Sequence, residues 1–151
     1  MPLGPLSEKL PLVAGRPLVL DTNIVLDLLV FDDPASRGLR QALELGAVAW
    51  LATQAMRDEF ERVLGYPRIA ARLQSPGKTR AEALVRFARL SHPVPAAAPA
   101  TVRCRDRDDQ IFIDLAVAHG ARLLSRDAAV LRLRKRLAGT GAMVHNGWDS
   151  A

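Results

Sequence analysis

The chain alternates short apolar runs with longer segments in which apolar residues recur every three or four positions. Apolar runs without polar alternation are typical of strands that are buried on both faces. These runs predict strands at 17–21, 47–52, 121–125 and 142–146. The segments with helical spacing predict helices at 23–29, 34–46, 53–65, 77–90, 108–120 and 127–139. Strands that alternate with helices favour an α/β fold built around a parallel sheet.

Two further features refine this pattern. Segment 93–101 is rich in proline and alanine, which predicts an extended or loop conformation. Asp114 falls with Gln110 on the least apolar side of its predicted helix, so we expect the Asp114 side chain to be solvated. We assign residues 1–15 to an N-terminal extension and residues 16–151 to a single domain.

Composition adds a hint about the partner. The chain has 151 residues, 49% of them hydrophobic and 25% charged, which is ordinary for one globular domain with a substantial core. The formal net charge is +5, and the basic residues are nearly all arginine. Arginine is the better bidentate ligand for phosphate, so nucleic acid is a reasonable partner. A GC-rich coding bias would explain the preference for arginine over lysine, but it explains the net charge poorly.

Sequence features also favour a cytoplasmic protein without a membrane segment. No apolar run approaches the ~20 residues that span a bilayer, and the first residues lack the cationic region of a signal peptide. The single cysteine, Cys104, cannot form an internal disulfide, which fits a reducing compartment.

Asp21 interrupts the most apolar part of the chain. It follows the run Leu18–Leu20 directly and precedes the apolar residues of the next predicted helix. A carboxylate at the end of a parallel strand lies in the crevice where open sheets bind ligands. Alternatively, Asp21 caps the following helix, with Thr22 and Asn23 assisting. Both interpretations stay open at this point.

Glu59 shares the inward face of the helix at 53–65. It lies three residues after Met56 and four before Val63, and both belong to the apolar stripe of this helix. An inward carboxylate needs a cation, a metal ion or water. A structural salt bridge with an arginine is the alternative, and Glu61 is a neighbouring candidate for any functional role.

The run "CRDRDDQ" offers three acids, Asp106, Asp108 and Asp109, just before or at the start of a helix. The helix macrodipole stabilises one or two acids there, but it accounts less easily for three. Asp109 precedes Phe112 and Ile113 at helical spacing, so its side chain can lean toward the core. Periodicity alone does not separate Asp108 from Asp109.

Asp127 repeats the arrangement at Asp21. An apolar strand is followed by Ser125 and then by an acid that opens a helix. Ser125 or Asp127 is a good N-cap for that helix, and capping is compatible with a further role.

Each of these acids can be explained separately, but a shared site would explain why all four occur in one chain. Strand ends and the following helix starts gather at one edge of a parallel sheet, so Asp21, Asp109 and Asp127 would meet there, with Glu59 reaching in from its helix. Clustered carboxylates raise each other's pKa unless a cation intervenes. Hard oxygen ligands without cysteine or histidine select Mg²⁺ or Mn²⁺. An acidic metal site in a basic chain suggests phosphodiester hydrolysis, in which the ion activates water.

The segments "VLDTNIVLD", "EFERVL" and "CRDRDDQIFIDLAVAHGARLLSRDAAVL", taken in order, resemble a PIN domain. The resemblance spans roughly residues 17–145 and is greatest to the VapC-like toxins of bacterial toxin–antitoxin modules. It implies a three-layer α/β/α sandwich with a central, mostly parallel sheet of about five strands. It also implies divalent-metal-dependent cleavage of RNA, frequent homodimerisation and inhibition by a cognate antitoxin protein.

The resemblance also assigns site residues. Four acids match the catalytic and metal-binding positions of the family: Asp21, Glu59, Asp109 and Asp127. The supporting positions are Thr22, Asn23, Ser125 and, as the rival of Asp109, Asp108. One or two Mg²⁺ or Mn²⁺ ions would activate a water that attacks phosphorus in line and leaves 5′-phosphate and 3′-hydroxyl ends.

Two other functions compete with a ribonuclease. One is a non-catalytic RNA-binding or scaffold PIN module, for which substitutions of the acids would have no effect. The other is a phosphatase with Asp21 as a covalent nucleophile. That chemistry usually needs a second acid two residues later as proton donor, and Asn23 occupies that position.

Overall fold

Five short strands form the sheet in a computed structural model of the protein, which describes residues 15–148. They are β1 (Leu18–Leu20), β2 (Trp50–Ala52), β3 (Ser91–Pro93), β4 (Arg122–Leu124) and β5 (Met143–His145). Their order across the sheet is β3-β2-β1-β4-β5, and neighbouring strands all pair in parallel. The predicted parallel sheet is confirmed. The N-terminal extension assigned to residues 1–15 falls, except for Gly15, outside the described residues.

Helices cover both sides of this sheet, as expected for an α/β/α sandwich. They are α1 (Thr22–Leu29), α2 (Arg37–Glu44), α3 (Gln54–Val63), α4 (Pro67–Ala70), α5 (Arg80–Leu90), α6 (Gln110–His119), α7 (Ala128–Leu131) and α8 (Arg134–Ala138). Short 3₁₀ turns at Pro34–Ser36 and Arg107–Asp109 lead into α2 and α6. Leu18, Val19 and Leu123 are fully buried because both faces of their strands are covered. Within residues 15–148, none of the helices has the length and apolar content needed to cross a membrane.

Three aromatic side chains join two helices to the sheet. The rings of Trp50 on β2 and Phe87 on α5 meet edge to face with centroids 4.7 Å apart. Phe87 also stacks on Phe60 of α3 at 5.2 Å. All three side chains are buried, so this cluster fixes the position of α3 against the sheet. Glu59 is the residue next to Phe60, and its backbone is therefore fixed as well.

The sequence pattern missed two elements and merged two others. β3 and α4 were not predicted, because three or four residues are too few to show a period. The single helix predicted at 127–139 is divided into α7 and α8. At the break the Leu133 N–H bonds to the carbonyl of Val130, three residues earlier, so the chain turns more tightly than an α-helix there.

The prediction that the Asp114 side chain is solvated is wrong. The loop that precedes α6 covers this side of the helix and hydrogen-bonds to Asp114. Gln110 is buried and accepts a hydrogen bond from the Cys104 N–H at 2.6 Å. Its amide donates to the Val102 carbonyl at 3.0 Å and to Asp114 at 2.8 Å. Asp114 also accepts from the Ala100 N–H at 2.9 Å. Two polar side chains of α6 therefore replace the missing backbone partners of this loop.

We predict that Gln110→Leu lowers the free energy of unfolding by about 1–3 kcal/mol, because it leaves the Cys104 N–H and the Val102 carbonyl without partners. Urea denaturation followed by circular dichroism measures this loss. Gln41→Leu is the matched control, since Gln41 is exposed on α2 and the same change should cost less than about 0.5 kcal/mol. Equal losses in the two variants would contradict the role assigned to Gln110.

Candidate active site

The strand order places a crevice between β1 and β4. The chain passes from β1 through β2 to β3 on one side and then returns to β4 on the other side of β1. Such a reversal separates the connections that leave the two neighbouring strands, and ligands bind there in open parallel sheets. The Asp21 N–H donates to the Leu124 carbonyl at 3.1 Å, which holds the two strand ends together.

A cavity of about 260 Å³ opens at this point. Its polar lining comes from residues that the sequence had indicated: Asp21, Thr22, Asn23, Glu59, Asp109 and Asp127. Apolar side chains complete the lining: Leu26, Val63, Tyr66, Ile69 and Phe112. The structure therefore brings together acids from four separate parts of the chain.

Asp21 caps a helix and also lines the cavity. Its position is therefore compatible with both interpretations, the helix cap and the ligand-binding residue. It is the N-cap of α1, where one carboxylate oxygen accepts from the Ile24 N–H at 3.0 Å. Its side chain is only 4% exposed. Burial raises the pKa of Asp21, although hydrogen bonds from the Ser125 hydroxyl and the Ile24 N–H act in the opposite direction.

Ser125 connects the ends of β1 and β4 through its hydroxyl group. It is fully buried directly after β4, and its hydroxyl hydrogen-bonds to Asp21. The same oxygen accepts from the Asp127 N–H at 3.1 Å. Asn23 is exposed where it lines the cavity, and within residues 15–148 its side chain forms no hydrogen bond to the acids.

Glu59 reaches the cavity from α3 and is held there by Thr22. The Thr22 hydroxyl donates a hydrogen bond to a Glu59 carboxylate oxygen, which joins the start of α1 to the middle of α3. Glu61 lies elsewhere, because it pairs with Arg57 and Arg80 at 3.1 Å each. The geometry therefore selects Glu59, rather than Glu61, as the acid that α3 contributes.

Three aspartates form the centre of the acidic group. Asp106, Asp109 and Asp127 can each offer one carboxylate oxygen such that all three oxygens lie within 4.8 Å of one another. Asp106 and Asp127 are also fixed as caps, the first accepting from the Asp108 N–H at 2.9 Å and the second from the Ala129 N–H at 2.8 Å.

The ionised form of Asp109 is strongly disfavoured by its surroundings in this group. Burial raises the pKa of Asp109 to about 7, together with the negative charge of Asp127, a hydrogen bond between these two carboxyl groups, and the charges of Asp106 and Asp21. One Asp109 oxygen is buried and has no hydrogen-bond partner among the described residues. A buried carboxylate oxygen without a partner is costly, so this atom is available to a ligand.

The geometry also shows that Asp109, rather than Asp108, lines the cavity, and that Asp106 belongs to the acidic group. Asp108 is exposed and does not line the cavity. Asp106 and Asp109 lie three residues apart on the 3₁₀ turn before α6, where such positions eclipse. The spacing of the two acids was visible in the sequence, but the 3₁₀ turn that aligns them was not predicted.

These residues fit a divalent cation that prefers oxygen ligands. The cavity lining contains several carboxylates and no cysteine or histidine, which matches Mg²⁺-like ions rather than zinc. The unpartnered Asp109 oxygen and the mutual repulsion of the aspartates would both be relieved by a bound cation.

We predict that, in EDTA, Asp109→Asn is more stable than the wild type at pH 8 and that this advantage shrinks at pH 5. The folded-state pKa of Asp109 lies above the ordinary value, so its contribution to stability is present at low pH and is lost as the pH rises toward about 7. The asparagine does not ionise. After allowance for solvent screening, we expect a difference of at least about 1 kcal/mol at pH 8.

Urea denaturation at the two pH values measures this difference. Asp108→Asn is the control, because it makes the same chemical change at an exposed neighbour and should leave the pH dependence of the wild type intact. If Asp109→Asn were no more stable than the wild type at pH 8, the acids would not repel one another as described.

Comparison with known proteins identifies the family of the chain. Among curated proteins, none matches the chain. The model of the PIN domain family matches residues 17–129. This range runs from β1 to the start of α7 and includes all the acids that line the cavity. PIN domains are typically nucleases. The match extends over most of the sequence, and the chain belongs to the PIN domain family.

Proposed function

We propose that this protein is a divalent-metal-dependent ribonuclease and that the cavity between β1 and β4 is its active site. The observation that supports the proposal most is the Asp109 carboxyl group, which is buried against other acids and has one oxygen without a partner. Carboxyl groups with strongly raised pKa values concentrate at functional sites. A non-catalytic module would have no need of such a group.

The acids divide into two roles. Asp21, Asp109 and Asp127 would hold the cation, with Asp106 close enough to contribute directly or through water. When it is bound, a Mg²⁺ or Mn²⁺ ion lowers the pKa of water and stabilises charge on the phosphodiester. Glu59 would orient the attacking water or help to hold a second ion.

Proton balance at the site follows from the same electrostatics. Without a cation, the pKa of about 7 leaves a substantial fraction of the Asp109 carboxyl groups protonated at neutral pH, beside the carboxylate of Asp127. Binding of a cation requires the ionised form, so this proton leaves when the site is loaded. The remaining polar side chains hold the ligands, Ser125 through Asp21 and Thr22 through Glu59.

The substrate would be RNA, which the basic charge of the chain favours. A net charge of +5 attracts a polyanion despite the acidic cavity, because the cation neutralises the acids locally. By its resemblance to VapC-like proteins, we further propose that the protein is the toxin of a bacterial toxin–antitoxin pair. In this proposal it is a cytoplasmic homodimer that a cognate antitoxin inhibits.

We predict that Asp21→Asn lowers RNA cleavage at least about 100-fold in Mn²⁺ or Mg²⁺, because it removes a central negative ligand. Asparagine can still cap α1, so the fold should persist. Electrophoresis of RNA incubated with metal or with EDTA measures the loss, and the products should carry 5′-phosphate and 3′-hydroxyl ends. Asp58→Asn is the matched control, because Asp58 is exposed on α3 and does not line the cavity. Full activity in Asp21→Asn would refute the mechanism.

We also predict that Thr22→Val, which keeps the shape of the side chain but removes its hydroxyl, lowers cleavage by about 10- to 100-fold. Glu59 would lose the hydrogen bond that fixes it in the cavity. Thr22→Ser retains a hydroxyl and should retain most of the activity. Initial rates at several Mn²⁺ concentrations distinguish the variants, and equal rates for valine and threonine would show that the hydrogen bond from Thr22 is not needed for cleavage.

A further inference from the structure

The cavity has an apolar part that the acids do not explain. Leu26, Val63, Tyr66, Ile69 and Phe112 line it together with the carboxylates. A cation and a phosphate require polar ligands, and apolar side chains bind neither. An apolar lining beside an ionic centre indicates a ligand that carries an apolar or aromatic group next to its charged group.

Tyr66 is the most exposed of these side chains. Within residues 15–148 the exposed large hydrophobic residues are Leu45, Tyr66, Val85 and Met143. Of these four, only Tyr66 lines the acidic cavity, and half of its surface is accessible. Its hydroxyl forms no hydrogen bond within the described residues. The ring is therefore available to a ligand rather than committed to the core.

The backbone around Tyr66 is fixed on both sides. Its N–H donates to the Val63 carbonyl at 3.0 Å at the end of α3. Its carbonyl accepts from the N–H groups of Ile69 at 2.9 Å and Ala70 at 2.8 Å in α4. Pro67 follows and restricts the Tyr66 backbone to an extended conformation, which the observed φ of −67° and ψ of 139° match. The ring therefore extends from a constrained position.

Tyr66 also shares a side of the molecule with Glu59. Val63 lies four residues after Glu59, and Tyr66 lies three residues after Val63. At this spacing Glu59 and Val63 share one face of α3, whereas Tyr66 lies beyond the end of the helix in an extended conformation. All three line the cavity. The ring therefore lines the same cavity as Glu59 and the other acids.

We propose that Tyr66, with Val63 and Ile69 beside it, is a stacking surface for one unpaired base of the RNA, next to the phosphate that is cleaved. The inference rests on the ribonuclease function proposed above. A cavity of about 260 Å³ is close to the size range of small-molecule sites and is too small to enclose a duplex. Aromatic stacking accepts any base, because every base has a π face, but the base must be free of its pairing partner.

Binding to RNA with and without bases tests this directly. The protein carries Asp21→Asn so that the RNA stays intact, and the probes are a fluorescent uridine decamer and an abasic ribose-phosphate decamer of equal charge. Fluorescence anisotropy in Mn²⁺ gives the two dissociation constants. We expect the uridine decamer to bind more tightly, and we expect Tyr66→Ala to weaken its binding by roughly five- to a hundredfold without affecting the abasic decamer.

Four comparisons separate stacking from a structural effect. Tyr66→Phe should restore the preference for bases, since it keeps the ring and loses only the hydroxyl. Val85→Ala removes an exposed side chain outside the cavity and should change nothing. In cleavage assays with Asp21 intact, Tyr66→Ala should raise KM more than it lowers kcat, as expected for lost binding. Double-stranded RNA should show no dependence on Tyr66.

The outcomes also separate this inference from the proposed function. If the protein with Asp21 intact cleaves RNA and Tyr66→Ala neither weakens the uridine decamer nor raises KM, the stacking surface is refuted and the ribonuclease stands. If Tyr66→Ala removes base-dependent binding but no cleavage occurs with Asp21 intact, the ribonuclease is refuted and the stacking surface stands. Equal affinity of the two decamers, or binding of neither, would overturn the stacking surface.

Discussion

The candidate site depends on the confinement of several carboxyl groups between the end of β4 and the start of α6. Asp109 lies against Asp127 and near Asp106, and its pKa rises to about 7 as a result. Side chains in solvent would turn apart, but Asp106 and Asp127 are held by the backbone N–H groups that they cap. The acids consequently remain together even without a cation, at a cost in stability that a bound ion would offset.

The sheet makes this arrangement possible because its connections reverse direction at β1. Asp21 and Ser125 leave neighbouring parallel strands at the same edge, and one hydrogen bond links their side chains. The aromatic cluster of Trp50, Phe60 and Phe87 fixes α3 on the other side, so that Glu59 reaches the same cavity. Rigid elements therefore position each acid, so the charges are preorganised before a ligand binds.

The sequence predicted most of the fold and much of the candidate site because strong periodic signals coincide there. The apolar run before Asp21 and the inward position of Glu59 are both local patterns, and each led to a residue of the cavity. The roles of Asp106 and Gln110 were not predicted, because they depend on a 3₁₀ turn and a loop that only the tertiary structure creates. The exposed ring of Tyr66 gave no signal either, since α4 is too short to show a period.

Direct location of the cation tests the central claim of this account. Crystals of the protein grown with Mn²⁺ would be measured at a wavelength where manganese scatters anomalously. The account predicts an anomalous peak in the cavity between β1 and β4, bound by Asp109 and Asp127, and no such peak in Asp109→Asn. A cavity without manganese at saturating concentration, or manganese bound only elsewhere, would contradict the claim that these acids form a metal site.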